Sequence, residues 1–369
     1  MKIKKPDYKN SILNVSASIL KYYGVKTKIK GIKEVNKTLK SNYKHIVLLV
    51  LDGLGTNIIK QHLDEGTAFS KHMVKEITSV FPPTTVAATN AVLSGLPPIS
   101  TGWIGWVQYF KKEDASNVVF LNQDYYNEER KFEFNISGKY LTYESILDKI
   151  KFTREDVQVS EVFPPFREGG FDSFEKQVDK LIEFTQKDEK TFTYCYWIEP
   201  DLTEHMYGAS SPQTKEMVIG LNQSFEKLIN EIGNNSIIIL IADHGLVDIE
   251  EIDITKYLDV MECLERLPTF EPRAATFHLK TEKKKEFEKL FNEHFGQWFQ
   301  LVTKKEMKKL LGKGEPHKLI DDFIGDFVAI AIDKYALRAK LGEPFKGHHA
   351  GLTEGEMMVP LIIYKSNKS

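Results

Sequence analysis

The chain has 369 residues, with 50 Lys and Arg against 52 Asp and Glu, a formal net charge of −2, ten His and two Cys. That length suits one large domain or two of average size, and the near-balanced charge gives no broad reason to expect a nucleic-acid polymer or a membrane as partner. Cys195 and Cys263 cannot supply a disulfide framework or a Cys-x-x-Cys motif, no apolar run approaches the ~20 residues of a membrane span, and Met1 to Tyr22 lacks the apolar core of a signal peptide, so a cytoplasmic protein is expected.

In chain order, His45 to Leu51 is a continuous apolar run ending in Asp52-Gly53-Leu54-Gly55. Pro82-Pro83 disfavours helix, whereas Val86 to Leu93 is compatible with a buried one. Tyr109 to Tyr140 is aromatic and polar and reads as a hairpin-like insertion. Phe174 to Gln186 carries Val178, Leu181, Ile182 and Phe184 at helical spacing, and Lys215 to Ile232 carries Met217, Ile219, Leu221, Phe225 and Leu228. Between those helices, Phe192 to Ile198 is a strand-like run ending in Glu199-Pro200-Asp201. Ser236 to Ile241 is another, ending in Asp243-His244-Gly245. From Thr269 to Lys340 the texture changes: strands are predicted over 273–279 and 326–333, and helices over 281–295 and 304–311. Met358 to Tyr364 closes the pattern. Strands apolar on both faces alternating with amphipathic helices predict a three-layer α/β core, its mostly parallel sheet lying between helices, plus a small α+β insertion.

Three of those strand-like runs end at or near an Asp, and in such sheets polar residues past the carboxyl ends gather at one edge. Singly, each has a plain reading. Asp52 suits a turn, Asp201 and His205 share one helical face at i, i+4, Asp243 follows a strand, and His349 lies in Gly347-His348-His349-Ala350-Gly351. Together, three Asp and three His form a ligand complement for two divalent cations, zinc or manganese by donor type. Two such cations can clamp the attacking and leaving oxygens of an in-line phosphoryl displacement. Thr84 and Thr85 open the helix after Pro82-Pro83. Backbone N–H groups there favour an anion, although an N-cap Thr fits the same position.

The set resembles the alkaline phosphatase superfamily, and within it the type I phosphodiesterase/nucleotide pyrophosphatase family. Five motifs carry the likeness in order. They are Leu51-Asp52-Gly53, Phe81-Pro-x-x-Thr85 with Ser94-Gly95-Leu96-Pro97-Pro98, Asp201-x-x-x-His205, Asp243-His244-Gly245, and His349-x-Gly-Leu. The resemblance implies one metal on Asp201, His205 and His349. It implies a second on Asp52, Asp243 and His244, with Thr85 as ligand and nucleophile of a phospho-threonine intermediate. It also implies a metallo-phosphodiesterase core, residues 1–268 and 341–369, with a cap-like insertion at 269–340. Around Arg273 and Gly325-Asp326 the chain resembles shorter bacterial members that are intracellular and monomeric and cleave cyclic di-AMP to AMP.

Two family features differ here. Val86 stands where vertebrate-type members carry an aromatic just after the nucleophile, and the spacing of their phosphate-binding Asn lands on Trp106. Asn90, Trp103, Trp106, Tyr109 and Arg273 are therefore the candidates for substrate contacts. The expected substrate is a small nucleotide phosphodiester. A phosphomonoesterase or phosphonate hydrolase on the same metals stays open, as does a metal-stabilised binding protein without turnover.

Overall fold

A computed structural model describes residues 1–340 and 342–368. Six strands form the central sheet, in the order Met73–Thr78, Met358–Lys365, Ser236–Ala242, His45–Leu51, Lys190–Trp197, Val157–Val162. His45–Leu51 lies between Ser236–Ala242 and Lys190–Trp197, parallel to both, with His45 opposite Ser236 and Thr191. Every residue of His45–Leu51 and of Ser236–Ala242 is buried, as a sheet covered on both faces requires. Met358–Lys365 runs antiparallel to both its neighbours. The chain re-enters the core through the His349 loop, and a strand starting from the edge that Asp243 leaves must run back down the sheet.

The second sheet has seven strands, in the order Phe299–Thr303, Phe327–Ala331, Ala274–Leu279, Leu264–Glu271, Val107–Phe110, Ala115–Val118, Gln123–Asp124, every pair antiparallel. The 109–140 segment and the 269–340 region therefore share one sheet, joined where Phe270 pairs with Val107. Position 269, expected to open an insertion, falls inside a strand; the other boundary residue, Leu341, and the terminal Ser369 lie outside the described residues. One face of this sheet packs on Phe287, Phe291 and Phe295 of the Lys284–Phe295 helix. On the other, Phe110, Phe270 and Ile330 share a cluster with Phe81, Val86, Leu352 and Met357, which ties the sheet to the loops of the core.

Candidate metal centre and cleft

The carboxyl ends of the parallel strands gather the candidate ligand residues. His45–Leu51 delivers Asp52, Ser236–Ala242 delivers Asp243 and His244, and Lys190–Trp197 leads through Glu199-Pro200 to the Asp201–Tyr207 helix. The turn after the first strand closes on that helix. The Asp201 N–H donates to the Asp52 carbonyl at 3.1 Å, and the Gly53 N–H donates to Asp243 Oδ1 at 3.1 Å. Gly53 has φ +77°, and a Cβ there would sit 2.8 Å from Asp201 Cα, so both its conformation and its space exclude a side chain.

Two triads result. One donor atom from each of Asp52, Asp243 and His244 lies within 4.8 Å of the others, and the same holds for Asp201, His205 and His349. His244 Nε2 is 3.2 Å from Asp52 Oδ1 and 3.6 Å from Asp243 Oδ2, while Asp201 Oδ1 is 3.4 Å from His205 Nε2 and 3.7 Å from His349 Nε2. The His244 and His349 rings, 3.9 Å apart, join the triads. Outer contacts aim the ligands: His205 Nδ1 is 2.9 Å from the Gly347 carbonyl and His244 Nδ1 is 3.1 Å from that of Gly245, leaving each Nε2 to face the centre. The Tyr196 hydroxyl donates to Asp52 Oδ2. Thr85 opens the Thr85–Ser94 helix behind an extended Thr84, with its Oγ1 3.3 Å from both Asp52 oxygens and 3.2 Å from His244 Nε2.

The electrostatics suit cations. Burial and mutual repulsion push Asp201 and Asp243 well above the usual carboxylate range. Burial also works against the Asp52 charge, but His244 outweighs it and holds Asp52 low. His244, likewise opposed by burial, is raised to about 10 by Asp243 and Asp52. Burial lowers His205 to about 4 and, with neighbouring imidazoles, holds His349 well below its usual value, so both rings are neutral and have a lone pair to offer. Asp201 Oδ1, Asp243 Oδ2 and His349 Nδ1 are buried without a hydrogen-bond partner. Crowded buried carboxylates, neutral imidazoles and orphaned donor atoms fit a pair of divalent cations.

A cleft of about 580 Å³ opens from the triads and is walled opposite by the second sheet. Of the five candidate substrate contacts, only Trp106 lines it, 37% exposed and edge-on to Phe120. The other four are committed elsewhere. Asn90 bonds the Val86 carbonyl and the Tyr143 hydroxyl. Trp103 Nε1 donates to the Leu141 carbonyl, and its ring packs beside Phe120. Tyr109 donates to Asp114 under the Arg266 guanidinium and borders a different cavity. Arg273 is fully buried in a two-pronged ion pair with Glu356, at 2.6 and 2.8 Å.

Buried acids that sequence reading missed complete the surroundings. Glu271, in the cleft wall, accepts from Thr84 Oγ1 at 2.7 Å and from the Trp106 N–H at 2.8 Å, and burial raises it to about 7. Glu204 precedes His205, is wholly buried, and has neither oxygen partnered. Glu199, in the Glu199-Pro200-Asp201 turn, and Glu204, inside Asp201-x-x-x-His205, have a local signal. Glu271 lies in a strand of another sheet, and nothing near it in sequence points to the cleft.

Residues 46–352 match the family model described as type I phosphodiesterase / nucleotide pyrophosphatase. Among solved structures, the chain is similar to human ectonucleotide pyrophosphatase/phosphodiesterase 5, with TM-score 0.67, 18% identity and 87% of each chain covered. It is similar to the murine protein of that name, with TM-score 0.66, 19% identity, and 86% of this chain and 87% of that one covered. An inactive form of the murine protein in complex with AMP gives TM-score 0.64 at 19% identity, over 86% of this chain and 87% of that chain. At these identities the structural likeness speaks for the fold, and the family match speaks for the chemistry. The chain belongs to the type I phosphodiesterase/nucleotide pyrophosphatase family, hydrolases of the alkaline phosphatase superfamily.

Proposed function

We propose that this phosphodiesterase hydrolyses nucleotide phosphodiesters through a phospho-threonine intermediate on Thr85, with two divalent cations, zinc or manganese, held by the two triads. The observation that carries the reading is the seat of Thr85 Oγ1, 3.2–3.3 Å from Asp52 and His244 at the start of a helix. When bound, the cations supply charge neutralisation at the phosphoryl oxygens and a lowered pKa for a coordinated hydroxyl. Asp201, His205 and His349 would hold one cation; Asp52, Asp243 and His244, with Thr85 Oγ1, would hold the other. Thr85 Oγ1 gives up its proton and attacks phosphorus; the Oγ1–P bond forms as the ester P–O bond breaks, and the leaving oxygen takes a proton from water to depart as the alcohol. Water then cleaves the phospho-threonine, releasing the nucleotide and restoring the hydroxyl.

The cleft supports a diester over a monoester. A dianionic monoester calls for a free Arg or Lys, but the described cations lining the cleft are engaged: Arg338 with Glu251, and Lys340 with Glu128 and the Tyr125 carbonyl. Arg273 is neutralised by Glu356. Lys346 is exposed and absent from the cleft lining. The AMP bound to the inactive murine protein supports a nucleotide. Cyclic di-AMP and dinucleoside pyrophosphates are the first substrates to assay.

Thr85→Ala tests the reading. Metal-loaded wild type should turn over bis-p-nitrophenyl phosphate faster than p-nitrophenyl phosphate. The variant should lose on the order of 10³-fold or more in kcat, as expected when a nucleophile is removed. Undiminished turnover by Thr85→Ala, or a clear preference for the monoester, would overturn it.

A further inference from the structure

The Asp201–Tyr207 helix that supplies Asp201 and His205 also carries Leu202 and Met206, four residues apart and so on a common face. They are 47% and 56% exposed, and Phe345, 46% exposed, packs its ring 4.8 Å from that of His205. All three line the cleft. Large apolar side chains gathered at the mouth of an otherwise polar centre mark a binding surface more often than a chance exposure.

Their place relative to the nucleophile gives them a direction. Thr85 Oγ1 is 3.2 Å from His244 Nε2, and from there the ring centroids step 3.9 Å to His349, 5.1 Å to His205 and 4.8 Å to Phe345. An in-line displacement sends the leaving oxygen away from the attacking one. Thr85 contacts the Asp52, Asp243 and His244 triad, whereas Phe345, Met206 and Leu202 stand beside the Asp201, His205 and His349 triad, the side left for the departing alcohol if Thr85 attacks. The part of the substrate that stays on phosphorus is left beside Thr84, Trp106 and Glu271, which line the cleft next to the nucleophile.

We propose that Leu202, Met206 and Phe345 form a leaving-group subsite that receives a planar ring, so that the enzyme prefers diesters with a nucleoside or aryl alcohol on the departing side over simple alkyl esters. The proposal rests on Thr85 as nucleophile, because that choice sets the direction of departure. A ring laid on three apolar side chains removes their surface from water and adds contact with the Phe345 face. A methyl group covers almost none of it.

The test compares kcat/KM for adenylyl-(3′→5′)-adenosine with kcat/KM for the methyl ester of AMP, two substrates with the same retained half and alkyl-type leaving oxygens. Metal-loaded wild type should favour the dinucleotide by about tenfold or more, the scale of hydrophobic subsite discrimination. A Met206→Ser/Phe345→Ser double variant should lose most of that ratio, while Phe152→Ser, at a remote site 87% exposed, should keep it. A second readout needs no turnover. In the Thr85→Ala background, calorimetric affinity for the dinucleotide should fall with the added double substitution, and more than affinity for the methyl ester. A wild type indifferent to the leaving group, or a double variant with an unchanged ratio, overturns the subsite. If Thr85→Ala is inactive while the ratio is unmoved by the double variant, the subsite alone fails. If Thr85→Ala keeps full turnover, the nucleophile assignment fails and takes the subsite with it.

Discussion

At the residue scale, Arg273 shows how position in the fold decides the work of a side chain. A lone Arg near a phosphate-handling sequence invites a role as anion ligand. Here Nε and Nη2 are bound to Glu356 and Nη1 to the Tyr335 carbonyl. Glu356 also accepts from the Gly351 N–H at 2.7 Å and from Thr353, and its carbonyl accepts from the Gly245 N–H at 2.9 Å. The pair thus fastens the turn of the second sheet to the loops that bear His349 and His244. Between them Ala350 is held at φ +90°, a conformation that persists only when its surroundings fix it. Removing one partner leaves the other charge buried, so Arg273→Met should destabilise the fold by about 3–5 kcal/mol. Replacing both, Arg273→Met with Glu356→Leu, should restore part of that loss, as read by urea denaturation of metal-free protein. A single variant as stable as wild type would show that the pair contributes nothing.

At the element scale, His45–Leu51, Lys190–Trp197 and Ser236–Ala242 were legible because runs apolar on both faces have few structural alternatives. The Thr85–Ser94 helix was legible from Pro82-Pro83 before it and the run Val86 to Leu93; Gly95 ends it at φ +68°. The edge strands Met73–Thr78 and Val157–Val162 were not, because their burial is mixed and their patterns are short. The N-terminal helix Ile12–Tyr22 also went unread, although it is buried along most of its length against the core.

His45 gives a prediction at this scale. At the amino end of the central strand, its Nδ1 is 3.0 Å from Thr191 Oγ1, and burial, reinforced by Lys44, lowers its pKa to about 4 from the usual 6.5. The folded state therefore binds fewer protons than the unfolded one between those values. The stability tied to neutral His45 is complete above about pH 6.5 and declines as pH falls toward 4. In chelated protein, wild type should lose more stability between pH 7 and pH 5 than His45→Asn; equal losses in denaturant titrations would refute this.

At the scale of the whole molecule, the centre is built where one sheet ends and another covers it. Folding places three carboxylates, with Glu199 and Glu204 nearby, where burial raises the cost of every negative charge. Cations that bind only the folded chain offset that cost, and by mass action contribute about 3–4 kcal/mol at 100–1,000 times their dissociation constant. A chelator should therefore lower the melting temperature, and added zinc or manganese should restore it. Asp201→Asn should show a smaller metal-dependent gain. An unchanged melting temperature on chelation would contradict a metal-stabilised centre.

Local signals in the sequence carry the class of fold, the family and the order of the candidate ligand types along the chain. They are an apolar strand, the polar turn that follows it and a helix start after prolines. The surroundings of those residues come from the packed fold. It seats Thr85 against Asp52 and His244, sends Arg273 to Glu356, lays Trp106 along the cleft and brings Glu271 in from another sheet. It also joins segments 107–124 and 264–331 into one wall. The physical reason is range. A turn or a strand end is set by a few neighbouring residues, whereas a cleft wall depends on pairing between segments more than a hundred residues apart, and no local pattern records the partner.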